Sequence, residues 1–237
     1  MKHNKSAYGQ RTLAGAGLLI CSGLLLLAVP RLISSCYALY PEMAYQKNQL
    51  TPLTPDIYER CISNLKQALS WHQSAYDWQQ QGFFYLKLFN VQPFQAFEKK
   101  RELLKNAQTA INNGLALSPV DPFGWFQLAT VDKTLKNPKI NTIDALRLSF
   151  YSGRVEPDLV MSRLAFSYNY YADFDEDLRQ QWQKQLLTAW TFKGPELITF
   201  VTQHPETKEL ALQAFVYAPD DADKFLHALE IALKKPI

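Results

Sequence analysis

The sequence predicts an all-α protein, with one N-terminal transmembrane helix followed by a domain of helical hairpins. The chain has only nine glycines among 237 residues, and long stretches without turn dipeptides favour helices over strands. In the body, apolar side chains recur every three or four residues, which is the spacing of a buried helix face. The nineteen residues between Arg11 and Arg31 carry no charge, enough at about 1.5 Å per residue to cross a hydrocarbon core of roughly 30 Å.

The charges divide the chain into a basic N-terminal segment and a balanced body. Residues 1–41 contain four basic residues and no acidic one, whereas the remainder contains 21 basic and 22 acidic residues. Such a body lacks the basic surface of a nucleic-acid-binding protein, so we expect no nucleic-acid partner. The positive-inside tendency predicts a cytoplasmic basic tail at residues 1–11, a transmembrane anchor at residues 12–40 and a body on the other side of the membrane.

Two alternatives compete with an uncleaved anchor. One is a cleaved signal peptide, with the residues CYA at positions 36–38 as the cleavage site. The other is a lipoprotein signal, because the residues ISSC that end at Cys36 resemble a lipobox, although Arg31 interrupts the apolar run ahead of it. All three hypotheses place the body on the same side of the membrane. Cys61 stands alone in the body, where a single thiol forms no internal disulfide and is expected to pack in the core.

The body begins after a predicted linker at residues 41–55, which contain three prolines and little periodicity. A helix start follows at Thr54 and Pro55, since threonine is a good cap and proline fits the first helical turn. Helical apolar spacing over residues 58–76 predicts one helix, and Gly82 is expected to end it.

Aromatic side chains mark two further features of this region. Trp71 and Trp78 fall together on the side of the predicted helix opposite to its main apolar face. Either a second neighbour covers them, or they form an exposed strip that stacks on sugar rings or contacts a partner. The aromatic run at residues 83–89 is either a buried helical turn or a patch that faces the membrane or a partner. A further helix is predicted at residues 93–117.

The stretch at residues 107–129 resembles the junction between two tetratricopeptide-type repeats. The residues that carry the resemblance are Ala107, Ile111, Gly114, Pro119, Trp125, Leu128 and Ala129. In such repeats small and large side chains interleave, so that antiparallel helices approach closely. The resemblance implies an α-solenoid of helical hairpins over residues 56–237. Trp125 would then fill the core between hairpins, and its truncation to alanine would cost about 3–5 kcal/mol and unfold the body.

The rest of the chain is predicted to form short helices, whose junctions match the repeat pattern only in part. Helices are predicted at residues 123–135, 141–152, 158–171, 176–190, 195–203 and 206–217, and a last helix has Asp220, Asp221 and Asp223 at its amino end. The prolines at positions 119, 157 and 195 are spaced 38 residues apart, close to the length of a two-helix repeat. The junction pattern recurs only in part, because Arg163 stands where the first junction has Trp125. A degenerate repeat is therefore expected.

The sequence offers no pattern for catalysis, a metal or a cofactor. Its four histidines have no partner at metal-ligand spacing, and no glycine-rich phosphate loop or nucleophile elbow occurs. Asp173, Asp175 and Asp177 have the spacing of a calcium loop, but Leu178 and Lys184 stand where that loop needs glycine and glutamate. We therefore expect a protein that is not an enzyme and binds no cofactor. Paired carboxylates distant in sequence stay open as an alternative.

A basic patch lies on the predicted solvent side of the helix at residues 93–117. It consists of Lys99, Lys100, Arg101 and Lys105. Such a charge run is typical of a solvated face, and a site for an anionic ligand is the alternative.

As a whole, the chain resembles the VpsP-type accessory proteins of bacterial exopolysaccharide biosynthesis. The segments that carry the resemblance are ALSP at residues 116–119 with Trp125, and ALRLS at residues 145–149 leading through Glu156 and Pro157 to Arg163. The resemblance implies a single-pass protein of the bacterial inner membrane. Its periplasmic helical domain would help a polysaccharide polymerisation or export assembly.

These observations lead to the hypothesis of a membrane-anchored, non-catalytic adaptor that binds a protein partner of the cell envelope. Trp71, Trp78 and Arg163 are the candidates for contact with that partner. The alternatives are a periplasmic lipoprotein or chaperone, and an envelope hydrolase that acts on carbohydrate. The hydrolase would need acidic residues that converge in a cleft.

Overall fold

The computed structural model describes residues 4–48 and 51–234, with side chains from residue 15 onward except at positions 139, 140 and 217. The described residues form ten α-helices and two short 3-10 helices and contain no strand, so the all-α prediction is confirmed. The α-helices are α1 (Asn4–Asn48), α2 (Pro55–Trp71), α3 (Ala75–Val91), α4 (Phe97–Leu117), α5 (Pro122–Leu135), α6 (Lys139–Ser152), α7 (Pro157–Tyr168), α8 (Glu176–Gln203), α9 (Thr207–Ala214) and α10 (Pro219–Lys234).

The chain divides into two compact units. The N-terminal unit is Met1–Leu117 and the C-terminal unit is Ser118–Ile237, whereas the sequence predicts one body over residues 56–237. The boundary falls inside the stretch that resembles a repeat junction. Ala107, Ile111 and Gly114 therefore belong to the first unit, and Pro119, Trp125, Leu128 and Ala129 to the second.

Helix α1 joins an exposed apolar segment to a packed segment without a break. Among the described residues it is the one helix long and apolar enough to cross a membrane. Its apolar side chains are exposed from Leu18 to Leu32, whereas Ser34, Pro41 and Ala44 are buried. The predicted linker is wrong over residues 41–48, which continue the helix through Pro41. Burial of this face offsets the backbone hydrogen bond that the proline removes.

The C-terminal end of α1 is held by hydrogen bonds to one tyrosine side chain. Tyr58 of α2 is buried, and its hydroxyl donates a hydrogen bond to Asn48 Oδ1 at 2.6 Å. The same hydroxyl accepts one from the Leu53 N–H at 3.0 Å. The connection between α1 and α2 is therefore short and held by side chains, which explains why it is not a long linker.

The turn between α2 and α3 lies at residues 72–74, earlier than the break predicted at Gly82. Ser74 caps α3, because its hydroxyl oxygen accepts a hydrogen bond from the Asp77 N–H at 3.3 Å. Gly82 is buried within α3, and the aromatic run at residues 83–89 belongs to the same helix. The single helix predicted over residues 58–76 is thus two helices that pack as a hairpin.

Helix α3 also packs closely against α4. A Cβ atom at Gly114 would lie 2.9 Å from Gln79 Nε2 and 3.2 Å from the Ala75 carbonyl oxygen. The glycine therefore sets how near the two helices approach. Ala107 and Ile111 are completely buried on α4 and belong to the core of the N-terminal unit.

The C-terminal unit is built around large aromatic and aliphatic side chains. Its fully buried members include Phe150, Leu164, Leu178, Trp182 and Phe225. Helix α5 packs on α6, α7 on α8, and α9 and α10 on α8. Burial of such side chains supplies about 1.5–3 kcal/mol each, so this cluster is the main stabilising element of the unit.

Several helix ends in the C-terminal unit differ slightly from the predictions. The helices predicted at residues 176–190 and 195–203 form the two arms of α8, separated by a kink at Lys193 (φ −139°, ψ 38°) shortly before Pro195. Two predicted helices end early and continue as 3-10 turns, at Tyr171–Asp173 and Phe215–Tyr217. The kink position follows from proline, which removes a helical hydrogen bond.

Candidate functional site

A cleft of about 800 Å³ opens in the N-terminal unit between α1 and the start of α3. One wall is the part of α1 that follows the exposed apolar segment, and the other is the α2–α3 turn with the first turns of α3. The residues that line this α1–α3 cleft are Arg31, Ser34, Ser35, Ala38, Leu39, Glu42, His72, Ser74, Tyr76, Asp77 and Gln80. Small side chains on α1 face polar side chains on α3, which leaves a polar space between two helices that otherwise pack.

Glu42 is the acceptor at the centre of the cleft wall. Its Oε2 accepts hydrogen bonds from the Tyr76 hydroxyl at 2.6 Å and from Gln80 Nε2 at 2.5 Å. Its Oε1 accepts one from Gln46 Nε2 at 2.9 Å. Burial of the hydroxyl and this hydrogen bond to Glu42 raise the pKa of Tyr76 to about 12. The Tyr76 hydroxyl therefore stays protonated and donates a hydrogen bond at neutral pH, and the Glu42 carboxylate links α1 to α3.

Asp77 is the second acid of the cleft and is almost completely buried. Burial raises the pKa of its carboxyl group above the ordinary value, and the hydrogen bond with Ser74 and the nearby His72 oppose that shift only in part. A buried carboxyl group of this kind favours a cationic or hydrogen-bond-donating ligand. The cleft therefore has Arg31 and Glu42 on its α1 wall and Asp77 on its α3 wall, so one cation and two carboxyl groups line it.

Trp71 and Trp78 lie on separate helices instead of one face of a single helix. Trp71 is the last residue of α2, and its side chain is 48% exposed. Trp78 lies in the first turns of α3, where its Nε1 donates a hydrogen bond to Gln73 Oε1 at 2.7 Å. Both tryptophans flank the α2–α3 turn, and they do not form the predicted strip along one face of a single helix.

Arg163 is buried in the C-terminal unit, so the prediction that it contacts a partner is wrong. It is 0% exposed. Its guanidinium donates hydrogen bonds to Ser149 Oγ at 3.0 Å, to the Gly153 carbonyl at 2.7 Å and to the Ser149 carbonyl. It also lies 5.5 Å from the centre of the Phe150 ring. Desolvation lowers the pKa of Arg163 to about 10, which leaves it charged at neutral pH and structural in role.

The remaining junction residues differ in burial. Ala129 is completely buried, whereas Leu128 and Trp125 are half-buried and Pro119 is exposed. Trp125 packs on the core of the C-terminal unit and donates a hydrogen bond from its Nε1 to the Pro119 carbonyl at 2.8 Å. This tryptophan therefore closes the turn ahead of α5 and contributes only part of its surface to the core.

The acidic residues with calcium-loop spacing have structural partners. Arg147 binds Asp175 at 2.7 Å and Asp177 at 3.2 Å. Asp175 also caps α8, because its Oδ1 accepts a hydrogen bond from the Leu178 N–H at 3.0 Å. The hydrogen bond from Arg147 is the main reason that the pKa of Asp175 lies below its ordinary value. Within the described part of the chain, no group of three or more His, Cys, Asp or Glu side chains could hold a metal ion.

The basic patch on α4 points outward and is partly engaged within the N-terminal unit. Lys99 forms an exposed ion pair with Glu59 at 3.3 Å. Lys100 lies 4.4 Å from the centre of the Phe89 ring and donates to the Gln92 carbonyl at 3.3 Å. An exposed ion pair contributes only about 0–1 kcal/mol to the stability of the fold. These contacts are therefore typical of a helix face that is in contact with solvent.

Comparison with known proteins leaves the site to be interpreted from its own geometry. No protein-family model matches this chain, and no curated protein matches it at a significant level.

The sequence alone did not indicate most of the cleft. Two signals could have indicated it: Glu42 is the first acidic residue of the chain, and four polar residues lie close together in the first half of α3, Asp77, Gln79, Gln80 and Gln81.

Proposed function

We propose that this chain is a membrane-anchored, non-catalytic adaptor of the bacterial envelope. Its α1 would cross the inner membrane once, and its helical body, arranged as a degenerate tetratricopeptide-like solenoid, would hold a protein partner in the periplasm. The resemblance to VpsP-type proteins supports a partner from polysaccharide biosynthesis or export. The continuity of α1 supports the anchor, because the same helix has an exposed apolar segment and a segment packed into the N-terminal unit.

The observation that carries the adaptor proposal is an exposed apolar loop between α3 and α4. Val91 is 40% exposed, Phe94 89% and Phe97 68%. Exposed aromatic side chains grouped in this way mark interaction surfaces. The 17 residues of α3 span roughly 25 Å at about 1.5 Å per residue, so this loop lies at the end of α3 opposite to the α1–α3 cleft. The membrane segment and the proposed partner surface are thus at different ends of the N-terminal unit.

Site-specific photo-crosslinking in living cells tests this proposal. A photoreactive amino acid in place of Phe94 should give a discrete adduct with an envelope protein upon illumination. The matched control is the same substitution at Asn112, an exposed polar position of α4 in the same unit, which should give no such adduct. Equal crosslinking from both positions, or none from position 94 in a correctly inserted protein, would refute the adaptor.

Membrane insertion and topology are measured separately. We expect the intact mass to include the residues ahead of Cys36, and a reporter fused after Gly194 to be active only outside the cytoplasm. A mass that begins at Cys36 or beyond would support the lipoprotein, chaperone or secreted alternatives instead. Reporter activity on the cytoplasmic side would overturn the proposed orientation.

A second candidate function follows from the two acids of the α1–α3 cleft. A carbohydrate hydrolase needs two carboxyl groups that face one cleft, and Glu42 and Asp77 do so. However, Glu42 already accepts three hydrogen bonds from the protein, which is the role of a structural acceptor. The test is release of reducing ends from envelope polysaccharide by the purified full chain. Release that disappears in Asp77→Asn would assign a hydrolase and overturn the non-catalytic proposal.

A further inference from the structure

The position of the α1–α3 cleft along α1 is its most informative property. The uncharged run of α1 between Arg11 and Arg31 has nineteen residues and is about 28 Å long at 1.5 Å per residue, which matches a hydrocarbon core of about 30 Å. Arg31 therefore comes to the boundary between hydrocarbon and headgroups when α1 crosses a bilayer. Ser34, Ser35 and Ala38 follow within the next two turns, so the cleft opens at the level of the lipid headgroups. This step rests on the proposed membrane anchor.

Aromatic side chains at the same level support this placement. Helix α2 packs antiparallel on the part of α1 that follows the exposed apolar segment. The last residue of α2, Trp71, therefore lies near the end of that part that is closest to the membrane. Trp71 is 48% exposed and Tyr37 of α1 is 40% exposed. Tryptophan and tyrosine concentrate at the membrane–water interface, where their rings are apolar and their edges polar. Exposure of Trp71 is thus explained by contact with the bilayer surface.

The order of charges in the cleft matches one kind of headgroup. Arg31 stands at the membrane end, and the carboxyl groups of Glu42 and Asp77 lie farther along the cleft. In a phospholipid the phosphate lies next to the glycerol, and an amine, where present, lies beyond it toward water. A guanidinium binds phosphate through parallel charge-assisted hydrogen bonds, and a carboxylate accepts hydrogen bonds from an ammonium group.

We propose that the α1–α3 cleft binds the headgroup of an amine-bearing zwitterionic phospholipid such as phosphatidylethanolamine. The phosphate contacts Arg31, and the ammonium donates to Asp77 on the α3 wall, with Glu42 on the facing α1 wall. An anionic headgroup without an amine leaves the carboxyl groups uncompensated. A trimethylated amine has no N–H to donate, so it is also a poorer ligand.

The test is lipid binding by the full-length protein, delipidated in detergent and followed by native mass spectrometry. The probes are short-chain phosphatidylethanolamine, phosphatidylcholine and phosphatidylglycerol. We expect phosphatidylethanolamine to bind on the order of tenfold more tightly than the other two, the size of effect that one or two charge-assisted hydrogen bonds give. Equal affinities, or a preference for phosphatidylglycerol, would overturn the proposal.

Variants assign the two ends of the headgroup. Arg31→Gln should weaken phosphatidylethanolamine binding about tenfold, and Asp77→Asn should abolish the preference over phosphatidylglycerol. Arg60→Gln is the matched control, because Arg60 lies 4.5 Å from the Tyr40 ring in the same unit and does not line the cleft. The same loss in Arg60→Gln as in Arg31→Gln, or an unchanged preference in Asp77→Asn, contradicts the assignment.

Folding and anchoring are separated from headgroup binding by two further measurements. Ser35→Trp fills the mouth of the cleft from an exposed position, so it should block binding with an unchanged melting temperature; retained binding overturns the site. Extraction of native membranes with alkaline carbonate reports the anchor. A protein that stays in the membrane without headgroup selectivity disproves only the cleft assignment, whereas an extracted protein disproves the anchor on which both proposals rest.

Discussion

Replacement of Arg163 by alanine should destabilise the C-terminal unit by about 3–5 kcal/mol. The guanidinium is completely buried and donates three hydrogen bonds, two of them to the backbone carbonyls of Ser149 and Gly153. Its removal takes a donor from each of these carbonyls, at up to about 1–3 kcal/mol each, and leaves a void. Relief from burying a charge, which is the cause of the lowered pKa of about 10, offsets part of this loss.

The assay is urea unfolding of the full chain in mild detergent, followed by tryptophan fluorescence, because Trp182 is buried in the same unit. Arg163→Lys should lose about 2 kcal/mol, since lysine keeps the charge but cannot reproduce the planar fork. Arg147→Ala is the control, because the exposed ion pairs of Arg147 are worth about 0–1 kcal/mol. A loss below about 1 kcal/mol in Arg163→Ala, combined with lost partner crosslinking, would refute the structural role and restore Arg163 as a contact residue.

Three further predictions concern packing. Trp125→Ala should cost about 2–3 kcal/mol in the same urea assay, less than a fully buried tryptophan, because Trp125 is half-buried; complete unfolding would contradict this. Cys61, whose pKa burial raises to about 12, should resist iodoacetamide at about pH 8 in the folded protein and react in urea, as peptide mass mapping will report; rapid native labelling would refute its burial. Gly114→Ala should destabilise by about 1–2 kcal/mol because its Cβ meets the Gln79 side chain and the Ala75 carbonyl oxygen. In a double-mutant cycle Gln79→Ala should recover only part of that loss, since the backbone contact remains; complete recovery would contradict that contact.

Local sequence signals predicted the helices well where capping or proline decided the boundary. Pro122 opens α5 and Gly153 follows α6, as expected from their backbone preferences. The structure adds a reason for this glycine, since a Cβ at Gly153 would lie 2.8 Å from the Pro122 side chain. The errors arose where packing overrode local preference. Pro41 and Gly82 are poor helix residues, yet both are buried inside helices because neighbouring helices cover them.

The candidate site was harder to predict because its residues are distant in sequence. Glu42 and Tyr76 are 34 residues apart and meet only because α2 returns the chain to α1. The charge of Arg163 suggested a surface residue, since buried arginines are rare. Its acceptors are two backbone carbonyls and a serine hydroxyl, which no spacing of acidic residues could indicate. The exposure of Trp71 depends on where α2 ends, which its local sequence does not indicate.

The small residues before Cys36 have a structural explanation that competes with a lipobox. Ser34 is 3% exposed and lies on the face of α1 that packs into the N-terminal unit, and Ala38 follows one turn later on the same face. Side chains of this size let the α2–α3 turn approach α1 and still leave the α1–α3 cleft open, whereas larger ones would fill it. Cleavage before Cys36 would remove Arg31 and Ser34 and with them one end of the cleft. In the intact chain the small residues at these positions serve the packing of α1, and a processed chain would lack one end of the cleft.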